Sequence, residues 1–199
     1  MLNLSNISKE FKNKKVLNQL NLEIKNGECV YIHGKNGSGK STLFKIICDI
    51  IKANAGSIIK EDNVYIGALI ENPGFVENES IKFNLKFLAS LNNKYNEERI
   101  IQLCNLYSLD FNNKAPIKSY SVGMRQKVGI IQAVMENQNL ILFDEPTRGL
   151  DDESIEVFEK MVNSLIAEGK SVIIASHDLL ENIKYATKYL LNDGKLSLE

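Results

Sequence analysis

The sequence predicts an α/β fold with a mostly parallel central sheet, an N-terminal antiparallel β subdomain and an inserted helical subdomain. Three observations carry this. Short apolar runs alternate with helical patterns before residue 71 and after residue 136, the order that builds a parallel sheet. The run Cys29-Val30-Tyr31-Ile32 leads straight into a glycine-rich loop and then a helix. Residues 72–135 change texture, with helical patterns around 80–91, 96–107 and 122–136 separated by asparagine-rich turns.

The 199 residues suit one domain, 1–199, with a core of about 1–71 and 136–199 and a helical subdomain of about 72–135. An apolar fraction of 44% and a charged fraction of 25% are ordinary for a globular chain. A net charge of −1 gives no general attraction to nucleic acid, so no nucleic-acid partner is expected. No apolar run approaches the ~20 residues that span a bilayer. The first ten residues lack the apolar segment of a signal peptide. Cys29, Cys48 and Cys104 lack metal-ligand spacing and read as reduced core thiols of a cytosolic protein.

The elements follow in order. Residues 2–7 and 16–24 alternate apolar and polar side chains, as half-buried antiparallel strands do. Asn26-Gly27 is a tight turn into Cys29–Ile32, a run suited to burial on both faces. A helix begins at Thr42. Ala55-Gly56-Ser57 turns into strands near 57–60 and 64–68. After the helical stretch, Leu140-Ile141-Leu142-Phe143 resumes the sheet, a helix fills 153–168 and ends at Gly169, and Ser171–Ala175 is another buried strand. A last helix over about 178–185 leads to a hairpin at Asn192-Asp193-Gly194.

Gly34-Lys35-Asn36-Gly37-Ser38-Gly39-Lys40-Ser41 fits the phosphate-loop pattern G-x-x-x-x-G-K-[ST], with a strand before it and a helix after. Gly34, Gly37 and Gly39 let the backbone of Asn36 and Ser38 curl so that N–H groups converge on a phosphate. The helix start adds its positive dipole end. Lys40 reaches the β- and γ-phosphates, Ser41 offers its hydroxyl to Mg²⁺, and Thr42 meets the α-phosphate. This pattern serves kinases, GTPases and ATPases alike.

Leu140–Phe143 ends in Asp144 and Glu145, at the carboxyl end of a strand, where parallel sheets deliver functional groups. Asp144 is placed to hold Mg²⁺ and Glu145 to polarise an attacking water. His177 follows the next strand and is placed to touch the γ-phosphate. His33 reads as structural.

Tyr120-Ser121-Val122-Gly123-Met124-Arg125-Gln126 opens a helix, and Gly149-Leu150-Asp151 and Ser176-His177 follow downstream. In this order, the motifs resemble those of the ATP-binding cassette (ABC) ATPases, from about Leu2 to the C-terminus. The resemblance implies a P-loop NTPase (RecA-like) core that binds and hydrolyses ATP with Mg²⁺. It also implies that Ser121 and Gly123 face the γ-phosphate of ATP held by a second cassette, and that Asp151 links the two. By the same resemblance, Phe11 stacks on adenine, a core position being the other reading. Glu71 stands where the family usually has Gln, at a metal-sensing position that joins core and helical subdomain. Glu71 and Val122 depart from the commonest family pattern. Together with Ile70-Glu71-Asn72-Pro73-Gly74-Phe75 they are similar to the bacitracin- and lantibiotic-type exporter ATPases.

That resemblance implies an ATP-sandwiched homodimer that works on a separate membrane permease, on the cytoplasmic face of the membrane. The permease would dock near residues 71–90, where Phe75, Ile81, Phe83 and Phe87 supply apolar contact or, equally, core. A kinase-like enzyme would need neither Ser121 nor Gly123. An ATP-switched regulatory or binding subunit with little hydrolysis is the alternative that Glu71 and Val122 motivate.

Overall fold

The computed structural model describes residues 1–12 and 14–199. The chain runs β1 (Leu2–Phe11), β2 (Lys14–Ile24), β3 (Cys29–His33), α1 (Lys40–Ile47), β4 (Ala55–Lys60) and β5 (Ile66–Leu69). It continues through α2 (Ile81–Leu91), α3 (Glu97–Leu106), a single 3-10 turn at Ile117–Ser119 and α4 (Val122–Val134). It closes with β6 (Leu140–Asp144), α5 (Asp152–Ala167), β7 (Ser171–Ala175), β8 (Thr187–Asn192) and β9 (Lys195–Leu198). Two sheets result: an antiparallel one ordered β2-β1-β4, and a larger one ordered β5-β6-β7-β3-β8-β9. The larger sheet is parallel except for β9, which closes a hairpin with β8.

The α/β class read from the sequence is the one that forms, and the alternation of side chains explains the layers. In β3, Cys29 and Tyr31 face one core while Val30 and Ile32 face the other. In β6, Ile141 and Phe143 join the first core, Leu140 and Leu142 the second. A strand buried on both faces reads as one apolar run, which is why no alternation shows there. The first core is covered by α2 to α5, the second by α1 and the antiparallel sheet. Burial of Leu43, Phe44, Ile46 and Ile47 fixes α1, each side chain contributing roughly 1.5–3 kcal/mol. That packing anchors the glycine-rich loop ahead of α1.

The antiparallel strands are less regular than the sequence pattern alone conveys. Leu2, Leu4 and Ile7 are buried, so the inward side chains skip a beat at a bulge between Leu4 and Ile7. Asn6 takes φ 55°, and its N–H donates to Asn21 Oδ1 at 2.9 Å. The bulge supplies the extra residue that keeps Ile7 pointing inward.

The helix expected over 178–185 does not form; this segment is irregular. Its backbone is taken by tertiary partners. The Asn182 N–H donates to Glu159 Oε1 (3.2 Å), the Lys184 N–H to Asn163 Oδ1 (3.3 Å), and Asn163 Nδ2 to the Asn182 carbonyl (2.8 Å). These α5 side chains replace the bonds a helix would have made internally. Cys29 and Cys104 are core thiols as expected, whereas Cys48 at the end of α1 is half-buried; all three are free. Burial pushes the Cys29 and Cys104 thiols up to about 12. No helix among the described residues is long and apolar enough to cross a membrane.

Candidate nucleotide site

The carboxyl ends of β3, β5, β6 and β7 meet at one edge of the larger sheet, and each delivers one piece of the site. After β3 the chain curls through the glycine-rich loop into α1. Gly39, at the N-cap of α1, has φ 112°, a left-handed conformation that glycine adopts without a side-chain clash. A cleft of about 530 Å³ opens above the loop, lined by Phe11, Val16, Asn36, Gly37, Ser38, Gly39, Lys40, Ser41, Thr42, Glu71, Asn72, Asp144, Glu145 and Arg148.

Lys40 is 6% exposed. Its ammonium donates to the Gly34 carbonyl at 2.7 Å and lies 3.4 Å from Glu145 Oε1. The loop therefore holds its own lysine in place over the cleft. Asp144 is buried at the end of β6, and burial raises its carboxyl above the ordinary range. Hydrogen bonds from the Ser41 hydroxyl and the Glu71 N–H (3.4 Å) oppose that shift.

Glu145 has φ 48°, sparsely populated for a non-glycine residue. Its N–H donates to the Ala175 carbonyl at 2.7 Å. Its Oε2 accepts from the Ser176 hydroxyl (3.2 Å) and the His177 N–H (3.3 Å). Its buried Oε1 lies 3.2 Å from His177 Nε2 as well as beside the Lys40 ammonium. His177 Nε2 also contacts Asn36 Oδ1. Two facing acceptor oxygens favour the tautomer protonated at Nε2.

This donor set fits a magnesium nucleotide. The Ser38 Oγ atom is buried and lacks a hydrogen bond. A hydroxyl and a carboxylate, Ser41 and Asp144, adjoin at the loop. No cluster of three His, Cys, Asp or Glu suited to a metal occurs among the described residues. Mg²⁺ is commonly held by one or two protein oxygens together with phosphates, so a full protein cage is not required.

Residues 17–148 match the sequence profile of the ABC transporter family. The chain belongs to that family. It is 32% identical to the lantibiotic transport ATP-binding protein SrtF of Streptococcus pyogenes, over 100% of this chain and 90% of SrtF. It is 27% identical to the bacitracin transport ATP-binding protein BcrA of Bacillus licheniformis, over 98% of this chain and 68% of BcrA. The ABC cassette MJ0796, solved as a dimer, superposes with a TM-score of 0.86 at 27% identity, covering 99% of this chain and 97% of that one. A second MJ0796 dimer, in a post-hydrolysis state with ADP and Pi, gives the same TM-score over 100% and 98% of the two chains. This chain is an ABC ATPase that uses ATP and Mg²⁺.

Against that family background, the expected ABC residues fall into two groups. Phe11, Asn36 through Thr42, Glu71, Asp144 and Glu145 line one cleft, with Gly34 and His177 bound to it through Lys40, Asn36 and Glu145. Phe11 is 45% exposed, so it is a cleft residue and not a core one. Ser121, Gly123 and Asp151 do not line that cleft. The Ser121 hydroxyl accepts from the Met124 N–H at 3.2 Å and caps α4. Asp151 Oδ1 accepts from the Ser154 N–H at 2.9 Å and caps α5. A Cβ on Gly123 would lie 2.3 Å from the Gly149 carbonyl oxygen, so the start of α4 rests directly on the loop leading to Asp151.

Glu71 differs in detail from the expected metal contact. It adopts φ 54°, its backbone N–H faces Asp144, and its carboxylate turns to Lys45 Nζ at 2.7 Å. Several residues in or beside the cleft were not singled out by spacing. Lys45 pairs with Glu71 from one turn beyond Ser41. Arg148 lines the cleft and donates to Asn72 Oδ1 at 3.4 Å. Gln126 donates to the carbonyls of Glu145 and Pro146. The chain has only three arginines in 24 basic residues, and two of them, Arg125 and Arg148, sit beside the motifs; that scarcity was the available signal.

Of the apolar side chains expected on the helical stretch, Ile81 is core and Phe75 packs against it. Phe83 and Phe87 are 43% and 46% exposed and stack with centroids 6.1 Å apart.

Proposed function

We propose that this ATPase powers transport through a separate membrane permease, as an ATP-sandwiched dimer on the cytoplasmic face of the membrane. The direction proposed is export, and the cargo a peptide antibiotic, a lantibiotic or another amphipathic molecule. The observation that carries the hydrolytic part is Glu145. Its carboxylate is oriented by Ser176 and His177 and stands beside Lys40 at the phosphate loop.

The residues divide the work as follows. The loop N–H groups and Lys40 bind the phosphates, and Phe11 offers a face for adenine. Ser41 and Asp144 would hold Mg²⁺, which neutralises charge on the β- and γ-phosphates. Glu145 orients the attacking water and takes its proton, and His177 contacts the γ-phosphate. Ser121 and Gly123 present the start of α4 to the nucleotide of the second copy. The exposure of Val122, 61%, supports a surface left open for that copy. Each chain thus carries two half-sites.

The transport reading is supported by the kinship to SrtF and BcrA. For the permease, the proposed dock is the exposed face of Phe83, Phe87 and Leu91, within the helical subdomain taken as 72–135.

The deciding experiment is Glu145→Gln. It should bind ATP, form a stable ATP dimer, and lose turnover by about 10²–10⁴-fold. Undiminished phosphate release would remove Glu145 from this role. Co-purification with a permease from membranes, and loss of peptide-antibiotic resistance on deletion, test the transport assignment.

A further inference from the structure

Gln126 is 4% exposed, inside the first turns of α4. Its side-chain amide nitrogen donates to the Glu145 carbonyl at 2.9 Å and to the Pro146 carbonyl at 3.0 Å. Both partners are acceptors, so the nitrogen must be the atom facing them. Glu145 keeps a left-handed backbone, which persists only where its surroundings over-determine it. Three contacts on its backbone do so here: the Ala175 carbonyl accepts the Glu145 N–H from β7, and the Glu145 carbonyl accepts from the Gln126 amide of α4 and, at a longer 3.3 Å, from the Arg148 N–H.

The same helix is capped by Ser121, and the Arg125 N–H donates to the Ser121 carbonyl at 3.0 Å. One short stretch of α4 therefore touches both Glu145 and the residue that faces the second nucleotide in the proposed dimer.

We propose that Gln126 is a positioning residue. Its amide sets the backbone of Glu145 and makes the position of the catalytic carboxylate depend on the position of α4. Contact of Ser121 with the partner's nucleotide would then be felt at this chain's own Glu145, which couples the two ATP sites. This inference rests on the dimeric ATPase reading above.

The test is Gln126→Met, which keeps length and removes the donor. ATP affinity should stay within about 2-fold of native, because no phosphate-loop residue is touched, while kcat falls about 10–100-fold with little change in KM, the cost of a displacement near 1 Å. In the Glu145→Gln background, Gln126→Met should cost no further turnover and should leave the ATP dimer intact, since residues acting as a unit are not additive. Gln126→Asn retains the amide with one methylene less, and should also lower kcat; it decides the matter if the Met variant does not fold.

An unchanged kcat in either folded variant overturns the proposal. So does a fall in kcat matched by an equal loss of ATP affinity, or loss of the Glu145→Gln dimer, either of which would mark a merely structural role. Native protein that neither hydrolyses ATP nor dimerises with it would fail the ATPase reading itself and take this inference with it. Native protein that does both, with Gln126 variants that match it, fails this inference alone.

Discussion

Lys45 and Glu71 close an ion pair of 2.7 Å beside the phosphate loop, joining α1 to the segment after β5. The pair is 31% and 55% exposed, so its contribution to stability is small, about 0–1 kcal/mol. Its importance is to the charge balance of the cleft, where Glu71 is the third carboxylate after Asp144 and Glu145.

Neutralising that carboxylate should favour an incoming polyphosphate. Glu71→Gln is expected to raise ATP affinity without Mg²⁺ by about 2–5-fold, and Lys45→Ala to lower it by a similar factor, both effects fading at high salt. Titration with a fluorescent nucleotide in chelator checks this. Equal affinities for native and Glu71→Gln protein at low salt would reject it.

The half-site arrangement makes complementation possible. Lys40→Ala spoils a chain's own site, and Ser121→Arg spoils the site of its partner, so each variant alone should be inactive. In an equal mixture, half of the dimers are mixed and hold one intact site of two. Activity should therefore return to roughly a quarter of native, less if both sites must be intact for turnover. Phosphate release from the mixture is the readout, and the absence of any recovery counts against Ser121 acting in trans.

Gly123 has no room for a side chain, with the Gly149 carbonyl oxygen 2.3 Å from where a Cβ would stand. Gly123→Ala should push α4 off the Gly149-Leu150 backbone and cost about 1–3 kcal/mol of stability. ATP binding to the monomer should survive, because the cleft residues are elsewhere. The ATP-dependent dimer should be lost. Size-exclusion chromatography in the Glu145→Gln background would show this, and an intact dimer would be the contrary result.

Arg125 grips Glu77 with two bonds, of 2.6 and 2.8 Å, and its guanidinium lies 5.7 Å from the Phe75 ring centroid. Hydrogen bonding to that guanidinium holds the Glu77 carboxyl below its ordinary 4.5. A carboxyl with a lowered value in the fold stabilises it at every pH above the unfolded value, and that stabilisation is lost as pH falls through the folded value. Urea midpoints should therefore favour native protein over Glu77→Gln at about pH 7, with the gap closing as pH drops toward about 3. A gap that widens on acidification would contradict the pairing.

The residues legible in advance were those whose chemistry needs neighbours in sequence. A phosphate loop requires glycines and a lysine at fixed spacing because one curl of backbone must surround one phosphate. Asp144 and Glu145 were legible because a buried strand ends on them. Contacts between distant segments were not. Lys45 and Glu71 are 26 residues apart, Gln126 and Glu145 19, Asn72 and Arg148 76. No periodicity encodes such pairs. The segment at 178–185 misled for a related reason, since Glu159 and Asn163 on α5 capture the backbone that local pattern assigned to a helix.

The chain's local patterns thus specified an α/β core, the loop for phosphate, the acids at the strand ends and the family to which these belong. Folding decided the rest: that Glu71 turns its carboxylate to Lys45, that Phe11 stays exposed at the cleft, that Ser121 lies outside its own chain's site, and that Gln126 reaches Glu145. The division has a physical cause. Backbone curvature and two-sided burial are imposed by adjacent residues, so they leave a pattern along the chain. A side chain's partner is set by strand order and helix packing, which sum many weak contacts over the whole molecule.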